Sequence, residues 1–314
     1  MPRFDVTIAG ELNLDLILYG LPEELAPERE LLASDMALTL GSSSAIVAHN
    51  LAALGSKVGF TSCIGEDDFG TIALQRLREI GVDVSTVVRM AAPTKTGLTV
   101  ILPRPEWRNI LTYPGTIAEL RPEHLNLEFL SDTRHFHLSS YFLQTGLQSF
   151  IPELLKRLKA AGVSISMDTN DDPADEWAKG VEQVLPLVDV FLPNGREAQK
   201  ITGTADLEHA LSKLSKVVPL VVVKLGEKGA MAVRGSERVT APPVPTECID
   251  PVGAGDSFDA GFLQAYVRNE NLRDCLESGN LAGALSVTRP GGTEAFRDAV
   301  HREQFLSRHR APSR

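Results

Sequence analysis

Cysteine, aromatic residues and net positive charge are all scarce in this sequence. Its three cysteines, Cys63, Cys248 and Cys275, lie far apart with no C-x-x-C pair. An odd, scattered set argues against a disulfide framework and fits reduced, mostly buried thiols in a cytosolic protein. Aromatic residues make up 6% of the chain, which leaves few flat surfaces for stacking. The formal net charge of −10 disfavours a protein whose main task is to hold a polyanion. Local phosphate binding through backbone N–H groups is untouched by that argument. No basic-then-apolar leader opens the chain, because Phe4–Ala9 is interrupted by Asp5 and followed by Glu11. The longest notable apolar run, Val217–Val223, contains Pro219 and is far too short to span a membrane. Seven histidines are scattered without H-E-x-x-H spacing, so no structural metal is expected. His135 and His137 alternate along a strand and read as two inner or two surface residues rather than ligands. A cytoplasmic enzyme is the resulting expectation.

The 314 residues, 43% of them hydrophobic and 23% charged, suffice for one large α/β domain or two average ones. Only the polar end, Ala311–Arg314, reads as a disordered tail. Short β-branched runs alternate with longer helical patterns, which predicts a layered α/β domain with a mostly parallel sheet. Strands are expected at Phe4–Ala9, Lys57–Ile64, His135–Ser139, Val163–Asp168, Val188–Leu192 and Leu220–Leu225. Helices are expected at Ser43–Leu54, Phe69–Ile80, Leu147–Ala161, Gly195–Thr202, Asp256–Val267 and Leu272–Val287, the last rich in small residues. Two β excursions break this rhythm. One pairs Leu12–Tyr19 with Met36–Leu40 across a Pro- and Glu-rich connection; the other is a hairpin of Gly97–Leu102 and Asn109–Tyr113 around Pro103-Arg104-Pro105-Glu106. They read as a small lid sheet or as two decorative hairpins.

The segment Gly253-Ala254-Gly255-Asp256 opens a predicted helix. Unpaired N–H groups at a helix start attract anions, and glycine lets a ligand approach the main chain. Asp256 there is either a plain N-cap or a base placed beside the anion. Other phosphate motifs are missing: there is no G-x-x-x-x-G-K-[ST], no G-x-G-x-x-G after the first strand, and no H-R-D or D-F-G.

Several motifs in order resemble the ribokinase-like, or PfkB-type, carbohydrate kinases. The C-terminal signature stands as Asp250-Pro251-Val252-Gly253-Ala254-Gly255-Asp256-Ser257-Phe258, with Pro251 where the family more often has Thr. The N-terminal one stands as Leu54-Gly55 and Cys63-Ile64-Gly65-Glu66-Asp67-Asp68-Phe69-Gly70. Gly10, Asn13 and Asp15, then Asn194 and Glu197, then Lys224-Leu225-Gly226-Glu227-Lys228-Gly229 match further elements. The resemblance covers nearly the whole chain. It implies one ribokinase-like α/β/α domain over residues 1–314, with a β lid at about 12–40 and 96–115.

By that resemblance Asp256 is the general base, and Gly253, Ala254 and Gly255 form the anion hole. Asn13, Asp15, Gly41, Ser42, Ser43 and Arg108 are expected at the acceptor; Asn194, Lys224, Gly226, Gly229, Asn280 and Gly283 at ATP. The Pro290–Thr293 turn resembles part of the adenine-side wall. Glu197 is expected to organise Mg²⁺ through water, and Asp250 to help hold a monovalent cation such as K⁺. Each has a plainer reading: Asn194 and Glu197 as a helix start, Lys224 as a solvated strand-end lysine, Ser42–Ser44 as a capping cluster. Ser42 and Ile46 replace the second Gly and the Asn of the family's G-G-x-x-x-N loop, which removes an amide and adds hydroxyls.

The implied reaction is ATP-dependent phosphorylation of a hydroxyl on a small sugar or sugar acid. A nucleoside kinase would need an aromatic surface, for which Tyr19, Trp107 and Tyr113 are candidates. A sugar-phosphate kinase would need a basic cluster, with Arg104 and Arg108 as candidates. A non-catalytic sugar or nucleotide sensor would not need Asp256. A homodimer through the lid is expected, and neither nucleic acid nor membrane as partner.

Overall fold

The computed structural model describes residues 2–104 and 107–309. Pro105 and Glu106 of the expected turn and the tail Ala311–Arg314 fall outside the described residues.

Among the described residues fourteen strands are formed: β1 (Phe4–Ala9), β2 (Asn13–Tyr19), β3 (Asp35–Leu40), β4 (Val58–Thr61), β5 (Cys63–Gly65), β6 (Val88–Met90), β7 (Gly97–Pro103), β8 (Arg108–Tyr113), β9 (Thr133–Leu138), β10 (Ser164–Met167), β11 (Val190–Phe191), β12 (Leu220–Lys224), β13 (Ala230–Arg234) and β14 (Glu237–Ala241). The main sheet has the order β14-β13-β12-β11-β10-β9-β1-β4. It is parallel from β4 to β12, and the β13–β14 hairpin adds an antiparallel edge. Successive strand side chains face opposite ways, so Val6 and Ile8 enter one core and Ala9 the other. The first core is capped by helices Ser43–Ala53, Asp68–Glu79, Ala254–Tyr266 and Leu272–Ser286, the second by Ile151–Ala160 and Leu207–Leu214. This is the layered ribokinase-like α/β fold.

The small residues near the C-terminus have a packing reason. A side chain at Gly279 would strike the Phe258 ring, and one at Gly261 would strike Ser278 O and Ala282. The helices Ala254–Tyr266 and Leu272–Ser286 therefore pack almost backbone to backbone.

Three details differ from the sequence reading. The expected strand Lys57–Ile64 is two strands: after Thr61 the chain leaves the main sheet, Ser62 O accepts from Val88 N (2.9 Å), and β5 pairs with β6. A short β-prone run carries no sign of which strand each half pairs with. The expected helix Leu147–Ala161 is split into Thr145–Gln148 and Ile151–Ala160, because Pro152 supplies no N–H and the helix restarts around it. The β13–β14 hairpin and the Leu207–Leu214 helix were not anticipated.

His135 and His137 are fully buried, on β9. They join a chain Ser164–His135–Ser166–His137–Ser139 whose successive contacts are 2.7, 2.7, 2.7 and 2.8 Å. With each Nδ1 protonated, the donors all run one way, from Ser139 through both histidines to Ser164 and on to Arg134 O. Burial holds both imidazoles neutral, lowering them to about 4 and about 3. They stitch β9 to β10.

A smaller sheet, ordered β3-β2-β7-β8, covers one end of the domain. Its register sets up rungs on the inner face. Thr39, Asp15, Thr99 and Thr112 form a polar rung; Ala37, Ile17, Ile101 and Ile110 form the next, apolar one. Ile17 and Ile101 pack on Val252, just before the glycine-bearing loop.

Candidate active site

The carboxyl ends of parallel strands are where α/β sheets bind ligands. Here β1 leads to Gly10 and Glu11, β9 to Ser139 and Ser140, β10 to Asp168 and Asn170, and β11 to Asn194, while β12 ends on Lys224. Above them, under the small sheet, lies a cavity of about 740 Å³. Three of the chain's left-handed non-glycine residues, Ser42 (φ 67°), Ser140 (φ 51°) and Asn170 (φ 54°), line it. Strain of this kind costs of order 1–3 kcal/mol per residue and gathers where function requires it.

Gly253 is also left-handed (φ 73°), and a side chain on it would collide with Gly292. It precedes the helix Ala254–Tyr266, which no side chain caps. The first-turn N–H groups of Gly255 and Asp256 are thus free for an anion. The Asp256 side chain is not spent as a cap. It faces the cavity and accepts from Asn170 Nδ2 (3.2 Å) and from Ser43. Burial and then the charge of Asp168 push its carboxyl up to about 6, against the pull of Lys224.

On the opposite wall Asn13 Nδ2 lies 3.3 Å from Thr99 Oγ1 and 3.4 Å from Asp15 Oδ1. Any side chain at Gly41 would hit the Asp15 carboxylate, which explains the glycine. Ser42 donates to Asn13 Oδ1, so the hydroxyl of the departed loop positions the Asn13 amide. Burial, then the charge of Asp256, raises Asp15 to about 7. A carboxyl raised in the folded state contributes stability below the unfolded value of about 4 that is lost as pH rises through 7. We therefore expect Asp15→Asn to be more stable than the parent at pH 8, on the order of 2 kcal/mol. The gain should shrink towards pH 4, with acceptor use lost throughout; urea unfolding at the two pH values checks this.

Lys224 is neither solvated nor presented to the cavity. Its ammonium lies beneath Gly255, 2.5 Å from Asp168 Oδ2 and 3.2 Å from each Asp259 oxygen. Burial alone would lower its pKa, but Asp168, Asp259 and Glu197 outweigh it and hold the lysine above its usual range. Burial acts on Asp168 too, yet Lys224 keeps it below the carboxylate range; Asp259 is pushed well above. The ammonium and the two carboxyls form one buried trio.

Asn194 and Glu197 form a complete capping box: Asn194 Oδ1 accepts from Glu197 N (2.9 Å) and Glu197 Oε2 from Asn194 N (2.8 Å). Burial and the charge of Asp168 raise Glu197 to about 7. The helix-start reading is realised, and the residue still joins the Asp168–Lys224 network. Asp250 accepts from Val252 N and Gly291 N (3.0 and 2.9 Å), with Tyr19 Oη at 3.3 Å. Gly229 is left-handed, with Ala241 O and Pro242 where a side chain would stand, and Asn280 Nδ2 donates to the same two carbonyls. Gly283 faces Ala254 O. Gly226 is left-handed with open space around it.

Of the aromatic candidates none lines the cavity: Tyr19 turns to Asp250, and Trp107 and Tyr113 are exposed elsewhere. The aromatic wall is Phe142, which sequence reasoning missed. Of the basic pair only Arg108 lines the cavity; Arg104 donates to Leu21 O. Glu11 was missed as well. Its buried carboxylate accepts from Ser44 N (3.2 Å) and Ser44 Oγ (2.7 Å) and so anchors the Gly41–Ser44 loop. Asn170 carried a signal, as the Asp-x-Asn at a strand end.

Fold and site together define a class, the ATP-dependent carbohydrate kinases built on a layered α/β domain. A family model described as pfkB family carbohydrate kinase matches residues 3–299, and the chain belongs to that family. It is 29% identical over 276 residues to a 2-dehydro-3-deoxygluconokinase of Bacillus subtilis, covering 84% of this chain and 85% of the relative. It is 30% identical over 295 residues to a cytidine kinase of Thermococcus kodakarensis, covering 92% and 97%. The ribokinase of Thermotoga maritima superposes with a TM-score of 0.81 at 26% identity, over 97% of this chain and 99% of that one. An Escherichia coli structure provisionally assigned as ribokinase II, with ATP and Mg²⁺ bound, gives 0.82 at 25% identity, over 98% and 100%. No helix among the described residues is long and apolar enough to cross a membrane.

Proposed function

We propose that this protein transfers the γ-phosphoryl group of ATP to a hydroxyl of a small sugar-type acceptor, with Asp256 as general base. The observation that carries this is the Asp256 carboxylate, uncommitted as a cap, beside the free N–H groups of the Gly253–Asp256 turn and facing Asn13 and Asp15 across one cavity. Asp15 accepts from acceptor hydroxyls, Asn13 orients them, and Asp256 takes the proton of the attacking one. The Gly255 and Asp256 N–H groups hold the moving phosphoryl, in a reaction where positioning dominates. Gly226, Gly229, Asn280 and Gly283 lie on the nucleotide side.

Glu197, a buried carboxylate at the start of the helix Gly195–Thr202, is the residue that would help organise an outer-shell Mg²⁺. When bound, that ion neutralises phosphate charge. Asp250 is the residue that would contribute to a monovalent-cation site.

The small sheet acts as the lid. Its outer face carries exposed Met36, Leu111 and Tyr113 and half-buried Leu16 and Val100. An apolar sheet face of that kind favours a homodimer through the lid. Light scattering that shows a monomer at micromolar concentration would reject it. We place the enzyme in the cytoplasm, in keeping with three free cysteines.

The test is ADP release across a panel of sugars, sugar acids, nucleosides and sugar phosphates. Acceptor-dependent release is expected, and none with any compound rejects the reading. Because the base must be ionised, kcat/KM should rise with pH through about 6 and level above about 7, once Asp15 is ionised as well. A profile flat from pH 5 to 8 contradicts Asp256 as base.

A further inference from the structure

The cavity is larger and more two-sided than a free monosaccharide requires. At about 740 Å³ it falls within the roughly 300–1,000 Å³ that drug-sized ligands occupy. One wall is polar, built from Asn13, Asp15, Thr99 and Ser42 beside the base. The other is apolar: Ile110, Ile117, Phe142 and Leu143 face the same space. The lid register explains the division. Asp15, Thr99 and Thr112 share one rung, and the adjoining rung ends on Ile110, which stands 55% exposed on the cavity side of β8. Phe142 packs edge-on against Trp177 (centroids 5.8 Å apart, 75°), which supports its ring from the protein side.

Charge points the same way. Five acidic side chains line the cavity, those of Glu11, Asp15, Asp171, Asp172 and Asp256, and among the described residues Arg108 is the only basic one. Asp172 already accepts from Ala174 N and Glu176 N, and Asp171 pairs with Arg196, so neither invites an anion. A second phosphate or a carboxylate on the acceptor would enter a field of its own sign and lose hydration with one exposed arginine as compensation.

We infer that the acceptor is an uncharged glycoside, a hydroxylated sugar ring joined to an apolar planar group of nucleobase type. Sugar hydroxyls meet Asn13, Asp15 and Asp256, and the planar group lies against Phe142 and Ile110. This rests on the kinase reading and narrows it. Hydroxyl recognition by buried polar groups gives strict selection at the sugar. Contact with an apolar wall is worth less, roughly ten- to a few hundred-fold in kcat/KM.

The test measures ADP release with adenosine, cytidine, D-ribose, D-fructose, 2-dehydro-3-deoxygluconate and ribose 1-phosphate, with calorimetric titration of each in parallel. At least one nucleoside should exceed D-ribose in kcat/KM by about ten-fold or more. Phe142→Ala, and Ile110→Ser on the exposed strand, should each cut that nucleoside-to-ribose ratio by about ten-fold. A free sugar, sugar acid or sugar phosphate used better than both nucleosides overturns the inference and leaves the kinase reading standing. So does a ratio that neither variant changes. If no compound is turned over, the kinase reading fails, and calorimetry still decides: nucleoside binding about ten-fold tighter than ribose supports the inference, equal or weaker binding overturns it.

Discussion

Asp256→Asn is expected to reduce kcat by about 10²–10⁴, the range that a positioned base supplies. Acceptor affinity by calorimetry should stay within about three-fold of the parent. The substitution keeps the shape of the side chain and its contacts with Asn170 and Ser43, so the loss would be chemical. The acid limb near pH 6 should vanish with it. A variant with near-parental kcat would show that Asp256 is only a residue of the helix start. The loop's other duty, holding the phosphoryl through backbone N–H groups, would be unaffected.

The second large effect is expected at Lys224, away from any direct contact with substrate. Lys224→Met leaves the buried Asp168 without its cation, and a broken buried pair costs about 3–5 kcal/mol. Thermal unfolding should move down by several degrees or the variant should fail to accumulate. Lys224 also draws the Asp256 carboxyl downward, so the acid limb of surviving activity should shift to higher pH. Lys224→Met combined with Asp168→Asn should recover most of the stability, because no uncompensated charge remains. A single variant as stable as the parent would mean that the trio is not a charged unit. The helix Ala254–Tyr266 sits on this trio, which ties the anion-binding turn to the centre of the sheet.

The sequence disclosed features that depend on short stretches of chain. Gly253-Ala254-Gly255-Asp256 and Asn194–Glu197 were legible because a helix start is a local event with its own chemistry. The βα alternation was legible because each period is local too. Phe142 and Glu11 were not, since each reaches the site through the topology of the sheet, with no motif that fixes its direction; Asn170 had only the Asp-x-Asn at a strand end to mark it. Lys224 shows the same limit: a strand-end lysine looks solvated until β10 and the helix Ala254–Tyr266 supply Asp168 and Asp259. The break at Ser62 and the β13–β14 edge hairpin were hidden for a related reason. Apolar runs record burial and leave the partner strand unspecified. The unusual Ser42–Ile46 loop was visible in the sequence as a departure from the family's pattern. Its mechanism, a left-handed serine tying down Asn13, needed the backbone angles.

The central claim, phosphoryl transfer to a hydroxyl acceptor by Asp256, is tested most directly by following the label from γ-³²P-ATP in a single turnover. Parent and Asp256→Asn proteins would be mixed with the best acceptor from the panel. The expected result is label in a new phosphate ester of the acceptor with the parent protein, and a rate lower by about 10²–10⁴ with the variant. Label that appears only as inorganic phosphate, or at equal rates in both proteins, would contradict it.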